Sequence, residues 1–191
     1  MIEIRIHGRG GQGAVTSAEL LALAAFKDKK YAQSFPMFGV ERRGAPVEAF
    51  CRIDKEKIME RSQIYEPDYV LVLDSTLLKS VDVTKGLKKS GLLVINSKQD
   101  VSKLNLNFEI GKIISIDLNS IALNIIGRPI VNTAMLGAFA GITNIITLKS
   151  LTEAIQERFD EKIAIKNKEL AEKSYEIARK FVLGMKKNEI Q

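Results

Sequence analysis

The residues with the most evident chemistry lie near the start of the chain: four glycines in six positions, Gly8-Arg9-Gly10-Gly11-Gln12-Gly13. Gly8, Gly10 and Gly13 match the spacing G-x-G-x-x-G. An alternating, strand-like run precedes them and a breaker-free helical run follows, which is the context this motif requires. Glycine lets the backbone turn tightly and lets its N–H groups come close to a ligand. A helix that starts there adds unpaired N–H groups and a partial positive charge, so a phosphate is the natural guest. A dinucleotide reading also needs an acid about 20 residues further on. Gln33 stands at that distance, and Asp28 comes earlier, in the charged run Lys27-Asp28-Lys29-Lys30. The Lys-Ser/Thr pair of a Walker loop is missing as well, which disfavours nucleotide hydrolysis. A tight strand-to-helix turn without a ligand is the plainer alternative.

A second constellation is Phe35-Pro36-Met37-Phe38-Gly39-Val40-Glu41-Arg42-Arg43-Gly44-Ala45-Pro46. Adjacent arginines in a loop bounded by Gly and Pro suit an anionic group, because guanidinium binds phosphate in a bidentate manner. Taken alone they also fit a surface ion pair with Glu41. The remaining reactive residue types are scarce. One cysteine, Cys51, and one histidine, His7, exclude an intramolecular disulfide, a four-cysteine iron–sulfur cluster and a closed zinc site made by this chain alone. Cys51 falls on a predicted strand and reads as a small buried apolar residue. His7 reads as a hydrogen-bonded structural imidazole, and Asp74 as a cap before Ser75-Thr76. No catalytic residue and no metal ligand is assigned.

The elements that must position these groups follow from periodicity. Ile2, Ile4 and Ile6 alternate with Glu3, Arg5 and His7 as a first strand. Ala14 to Phe26 carries a helical stripe. Tyr31–Phe35 and Val47–Ile53 read as strands joined by too short a link for a helical crossover, so the pair is expected to be antiparallel. Short apolar runs at Tyr69–Leu73, Leu92–Ile95 and Ile113–Ile116 suit parallel strands buried on both faces. Ser120–Ile126 and Thr133–Ile146 are predicted helices, the second with Asn132 as its N-cap. Over the last forty residues, Ile163, Leu170, Ile177, Ala178, Phe181 and Val182 form the apolar stripe of an amphipathic terminal helix. The expected fold is a three-layer α/β/α sandwich with a mixed, mostly parallel sheet: an α/β domain over 1–148 and a helical extension of that domain over 149–191.

The chain has 191 residues, 46% of them hydrophobic, and a formal net charge of +6 from 29 Lys and Arg against 23 Asp and Glu. These values exclude a disordered tail, a collagen-like chain and a disulfide scaffold. The basic residues are dispersed, without a run of five like charges, so a nucleic-acid stripe is not expected. No signal peptide precedes the first strand, and the most apolar stretch, Thr133 to Leu148, falls short of a membrane span. The expectation is a cytoplasmic protein with no membrane or nucleic-acid partner.

Taken together, Gly8 to Gly13, Gln33-Ser34-Phe35-Pro36, Glu41-Arg42-Arg43-Gly44-Ala45-Pro46-Val47 and Ala49-Phe50 resemble the gamma subunit of 2-oxoacid:ferredoxin oxidoreductases. The Glu-Arg-Arg-Gly-Ala-Pro-Val form is similar to the pyruvate branch, with the 2-oxoisovalerate branch close behind. The resemblance extends over nearly the whole chain, including Asn132-Thr133. It implies a multi-subunit enzyme that decarboxylates a 2-oxoacid, passes electrons to ferredoxin and makes an acyl-coenzyme A. It implies that thiamine diphosphate and the iron–sulfur clusters sit in companion alpha, beta and delta chains, and that the gamma chain contributes to the coenzyme A site and to assembly. By position, the implied contacts to the coenzyme A phosphates are Gly10, Gly11, Gln12, Gly13 and Ala14, with Arg42 joined by Arg43. Members of fused architecture carry lysines in that basic loop. Asn96, at a strand end, and Asn132, at a helix start, are further candidates that compete with turn and cap roles. Two other readings remain open here: a stand-alone nucleotide- or coenzyme A-binding regulatory protein, and a purely structural subunit.

Overall fold

A computed structural model describes residues 1–37, 43–104, 106 and 112–188. Its elements run in the order β1 (Ile2–Arg9), α1 (Ala14–Lys27), β2 (Tyr31–Pro36), β3 (Pro46–Asp54), β4 (Tyr69–Val72), β5 (Leu92–Asn96), β6 (Lys112–Ile116), α2 (Leu118–Ile126), α3 (Asn132–Thr143), α4 (Leu148–Arg158) and α5 (Glu161–Asn188). Two 3₁₀ turns, Ser75–Lys79 and Val101–Lys103, interrupt the connections after β4 and β5. The six strands form one sheet in the order β2-β3-β1-β4-β5-β6. β1 pairs antiparallel with β3 and parallel with β4, while β2–β3 is antiparallel and β4–β5 and β5–β6 are parallel. The expected mixed, largely parallel sheet flanked by helices is what forms.

Register explains which side chains go where. Ile2, Ile4 and Ile6 lie opposite Ile53, Cys51 and Ala49, and together they face the main core. That core takes side chains from all five helices, among them Ala18, Leu21, Ala122, Phe139, Leu151 and Leu170. The opposite face is a smaller core of Val70, Val72, Leu93 and Ile95, covered by Val83, Leu104 and the 3₁₀ turn after β4 rather than by long helices. Over β1 and β3 this second face is polar. Arg52 donates to Glu3 at 2.9 Å and stacks on Phe35 at 5.3 Å, and Phe35 meets Phe50 with ring centroids 5.3 Å apart.

Several boundaries differ from the periodicity. α2 begins two residues early because Asp117, its N-cap, accepts the Ser120 N–H at 3.1 Å. α3 ends at Thr143, since Asn144 adopts φ +54 and stops the helix. Asn132 is not the N-cap: Val131 occupies that position without a side-chain cap, and Asn132 is already the first helical residue. The C-terminal stripe is α5, and a separate helix, α4, precedes it. Both pack onto the body, α4 against α1 and α5 against α3. Among the described residues no helix is long and apolar enough to cross a membrane.

Candidate ligand-binding site

β1 delivers the chain to the glycine loop at the carboxyl edge of the sheet. Gly11 and Gly13 take φ of +94° and +84°, a region an L side chain enters only with strain. Gly13 is the N-cap of α1, offers no side chain, and is followed by a first turn without an acid. Among the described residues, the N–H groups of Ala14, Val15 and Thr16 have no acceptor, the first intrahelical bond being Ser17 N–H to Gly13 at 2.8 Å. Such N–H groups, with the helix dipole behind them, favour an anion.

A second helix start meets the first. A Cβ placed on Gly13 would come within 2.9 Å of the Asn132 Nδ2, so the carboxamide sits hard against the loop. Asn132 is 5% exposed, and its Oδ1 is buried with no hydrogen-bond partner. α3, like α1, has neither a side-chain cap nor an acid in its first turn. By contrast Asp74, Asp117 and Thr147 cap the 3₁₀ turn after β4, α2 and α4. Two uncapped helix starts therefore converge on one spot, with an unused carboxamide between them.

The two sequence motifs are also brought together. Gly10 N–H donates to the Ala45 carbonyl at 2.8 Å and Gly44 N–H to the Gly10 carbonyl at 3.0 Å, so the glycine loop is bonded to the end of the basic loop. Arg43 is exposed beside Gly44. Arg42 lies outside the described residues.

A latch that the periodicity did not reveal fixes the loop's shape. The Gln12 carboxamide accepts the Arg9 N–H at 2.7 Å and donates to Asp74 Oδ2 at 2.9 Å. Both ends of that side chain are engaged and the Gln12 N–H donates to the Arg9 carbonyl at 2.9 Å, so Gln12 shapes the loop and has no free donor for a ligand. Arg9 reaches Asp74 at 3.2 Å, the Thr76 hydroxyl at 2.8 Å and the Gly44 carbonyl at 3.1 Å, tying three segments together. Partial burial alone would raise the Asp74 carboxyl, but hydrogen bonds from Thr76 and Gln12 and the Arg9 charge outweigh it and hold it below its ordinary range. The available signal was Asp74-Ser75-Thr76 directly after an apolar strand, a turn that places a carboxylate beside the end of β1.

Asn96 is placed differently from Asn132. Its Nδ2 donates to the Leu73 carbonyl at 2.8 Å and to Asn119 Oδ1 at 3.2 Å, and its Oδ1 accepts the Leu118 N–H at 3.0 Å. The side chain braces β4, β5 and the start of α2. His7 is 2% exposed and accepts from Arg5 Nε at 3.1 Å. Burial, reinforced by the Arg5 charge, pushes its pKa down to about 3. The imidazole is therefore neutral, and its 3.6 Å approach to Glu48 is not an ion pair near pH 7. Burial pushes the Cys51 thiol up, which keeps it protonated and inert. No group of three or more metal-ligating side chains occurs among the described residues.

Comparison with known proteins finds relatives over most of the chain. The family model described as pyruvate ferredoxin/flavodoxin oxidoreductase matches residues 3–177. Pyruvate synthase subunit PorC of Methanocaldococcus jannaschii is 57% identical over 182 residues, covering 95% of this chain and 99% of that protein. The crystal structure of pyruvate oxidoreductase subunit PORC from Thermotoga maritima superposes with a TM-score of 0.79 at 37% identity, covering 92% of this chain and 95% of that one. A more distant structure shares the fold, with a TM-score of 0.72 at 20% identity over 93% of this chain and 31% of the other: the 2-oxoglutarate:ferredoxin oxidoreductase of Magnetococcus marinus, which holds 2-oxoglutarate, coenzyme A and succinyl-coenzyme A.

Proposed function

Because this chain belongs to the pyruvate ferredoxin/flavodoxin oxidoreductase family as its gamma, PorC-type subunit, we propose that its glycine loop holds the phosphates of coenzyme A within a pyruvate:ferredoxin oxidoreductase complex. The observation that carries the reading is the meeting of two uncapped helix starts at Gly13 and Asn132. The first-turn N–H groups of α1, including that of Ala14, take phosphate oxygens. The positive φ of Gly11 and Gly13 keeps side chains out of the approach. Arg43, beside the Gly44 that is bonded to Gly10, adds positive charge, with Arg42 joining it as the resemblance implies, while Asn132 closes the inner wall. Asn96 acts at one remove, by bracing that end of the sheet.

A single buried cysteine does not accommodate an iron–sulfur cluster; clusters and thiamine diphosphate held by companion alpha, beta and delta chains would supply the electron path and the decarboxylation, with ferredoxin as the acceptor. The gamma chain's own work is to bind and orient coenzyme A, so that its thiol meets the acyl group formed elsewhere in the assembly, and to help hold that assembly together.

The test is Gly13→Val in the assembled complex. The KM for coenzyme A should rise at least about tenfold, the loss of roughly one charge-assisted hydrogen bond. Exchange of carbon dioxide into the pyruvate carboxyl group, which needs no coenzyme A phosphate contact, should stay within about twofold. An unchanged KM in an intact complex overturns the reading. A parallel fall of both reactions with dissociation of the subunits assigns the loop a structural role instead.

A further inference from the structure

Helix α2 is more apolar than its burial explains. Six of its nine residues are Leu, Ile or Ala, yet only Leu118 and Ala122 are fully buried. Ile121, Ile125 and Ile126 are half-buried, and Leu123 is 48% exposed. A helix apolar around most of its circumference is one whose surroundings cover it. α5 packs along one side of α2 and leaves a groove of about 490 Å³ between them. Ile121, Ile125 and Ile177 form the apolar base of that groove, and Glu169, Glu172 and Glu176 of α5 stand exposed along its margin.

The charge of that margin runs against the chain as a whole, whose net charge is +6. Lys173, the single cation among the described lining residues, lies 3.8 Å from Glu176. Glu169 and Glu172 have no ion-pair partner among the described residues. The three carboxylates follow one another at i, i+3 and i+7, a ridge about 10 Å long on one face of α5. The occupant that fits has apolar side chains for the base and Lys or Arg at the same three- and four-residue spacing for the ridge, which describes a basic amphipathic helix. A second copy docking by the same face would set its own glutamates against these, and an anionic lipid or nucleic-acid surface would meet the same repulsion.

We propose that the groove between α2 and α5 seats a basic amphipathic helix of a companion subunit of the oxidoreductase complex. The proposal rests on the assembly role argued above and gives that role a face; it needs nothing from the coenzyme A reading.

The experiment titrates the full-length chain against the remaining subunits of the complex, as the parent, as Glu169→Lys with Glu172→Lys, and as Glu169→Gln with Glu172→Gln. The reversed variant should raise the dissociation constant at least about tenfold at low salt, the neutral one less, and both losses should shrink as salt rises. A benzophenone amino acid in place of Asn124, which also lines the groove, should cross-link to a companion peptide that carries Lys or Arg at that spacing. A parent chain that does not bind the remaining subunits defeats the assembly reading, and the proposal with it. Where the parent binds, dissociation constants within about twofold of it for both variants overturn the proposal and leave the assembly role standing. So does a cross-link to another copy of this chain, to a peptide without that basic pattern, or to none. Should the reversed chain fold poorly by thermal melting, the neutral variant and the cross-link decide on the same terms.

Discussion

At the scale of single residues, Asn132 and His7 show opposite uses of burial. Asn132 keeps a buried oxygen without a partner, a defect that costs about 1–3 kcal/mol in a folded protein. Asn132→Leu removes the defect at similar volume. The free chain should keep or raise its melting temperature, while the complex loses affinity for coenzyme A; calorimetry of the subunit and the KM of the complex check the two halves. His7 has its partners but is held neutral. Its folded pKa, near 3, lies below the unfolded value near 6.5, so an unfolded chain binds a proton that the native one refuses between those values. The stability His7 contributes is complete above about pH 6.5. It declines with falling pH by about 1.4 kcal/mol per unit across the window. Denaturant unfolding at several pH values should therefore give His7→Gln a shallower acid dependence than the parent chain. Of these two roles only that of His7 was legible from the residues themselves; Asn132 entered through the resemblance, as a candidate contact competing with a cap role. A histidine on an alternating strand reads as structural, whereas nothing local distinguishes Asn132 from a cap until α1 is placed against it.

At the scale of elements, α3 and α5 are packed unusually tightly. Thr133, Gly137 and Gly141 recur every four residues along the contact. A Cβ on Gly137 would lie 2.1 Å from the Ala171 carbonyl oxygen, and one on Gly141 would lie 2.7 Å from that of Tyr175. Thr133 donates to Asn167 at 2.8 Å across the same seam. Gly137→Val should destabilise the chain by at least about 3 kcal/mol, because backbone rather than a flexible side chain must give way; the midpoint of urea unfolding measures it. The strands were legible because period two and short apolar runs are strong local signals. Helix limits were less so. The N-terminal limit of α2 depends on Asp117 reaching Ser120, and the C-terminal limit of α3 depends on Asn144 turning left-handed, neither of which periodicity encodes.

At the scale of the whole molecule, the sheet explains why one motif was legible and its surroundings were not. The glycine loop announces itself within six residues. The latch to Asp74, the bond to Ala45 and the wall from Asn132 depend on β1 lying between β3 and β4, and on α3 returning over the sheet. The same separation sets an order in time. Gly13 leaves the ribosome well over a hundred residues ahead of Asn132. At about 5–20 residues per second, that is a wait of roughly 6–24 s. Strand pairing between β1, β2 and β3 becomes available after about the first third of that interval, once Asp54 has emerged, but the inner wall of the site does not. A nascent chain therefore becomes recognisably folded well before it becomes competent to hold a ligand, and early breakage of translation releases a sheet with an empty mouth.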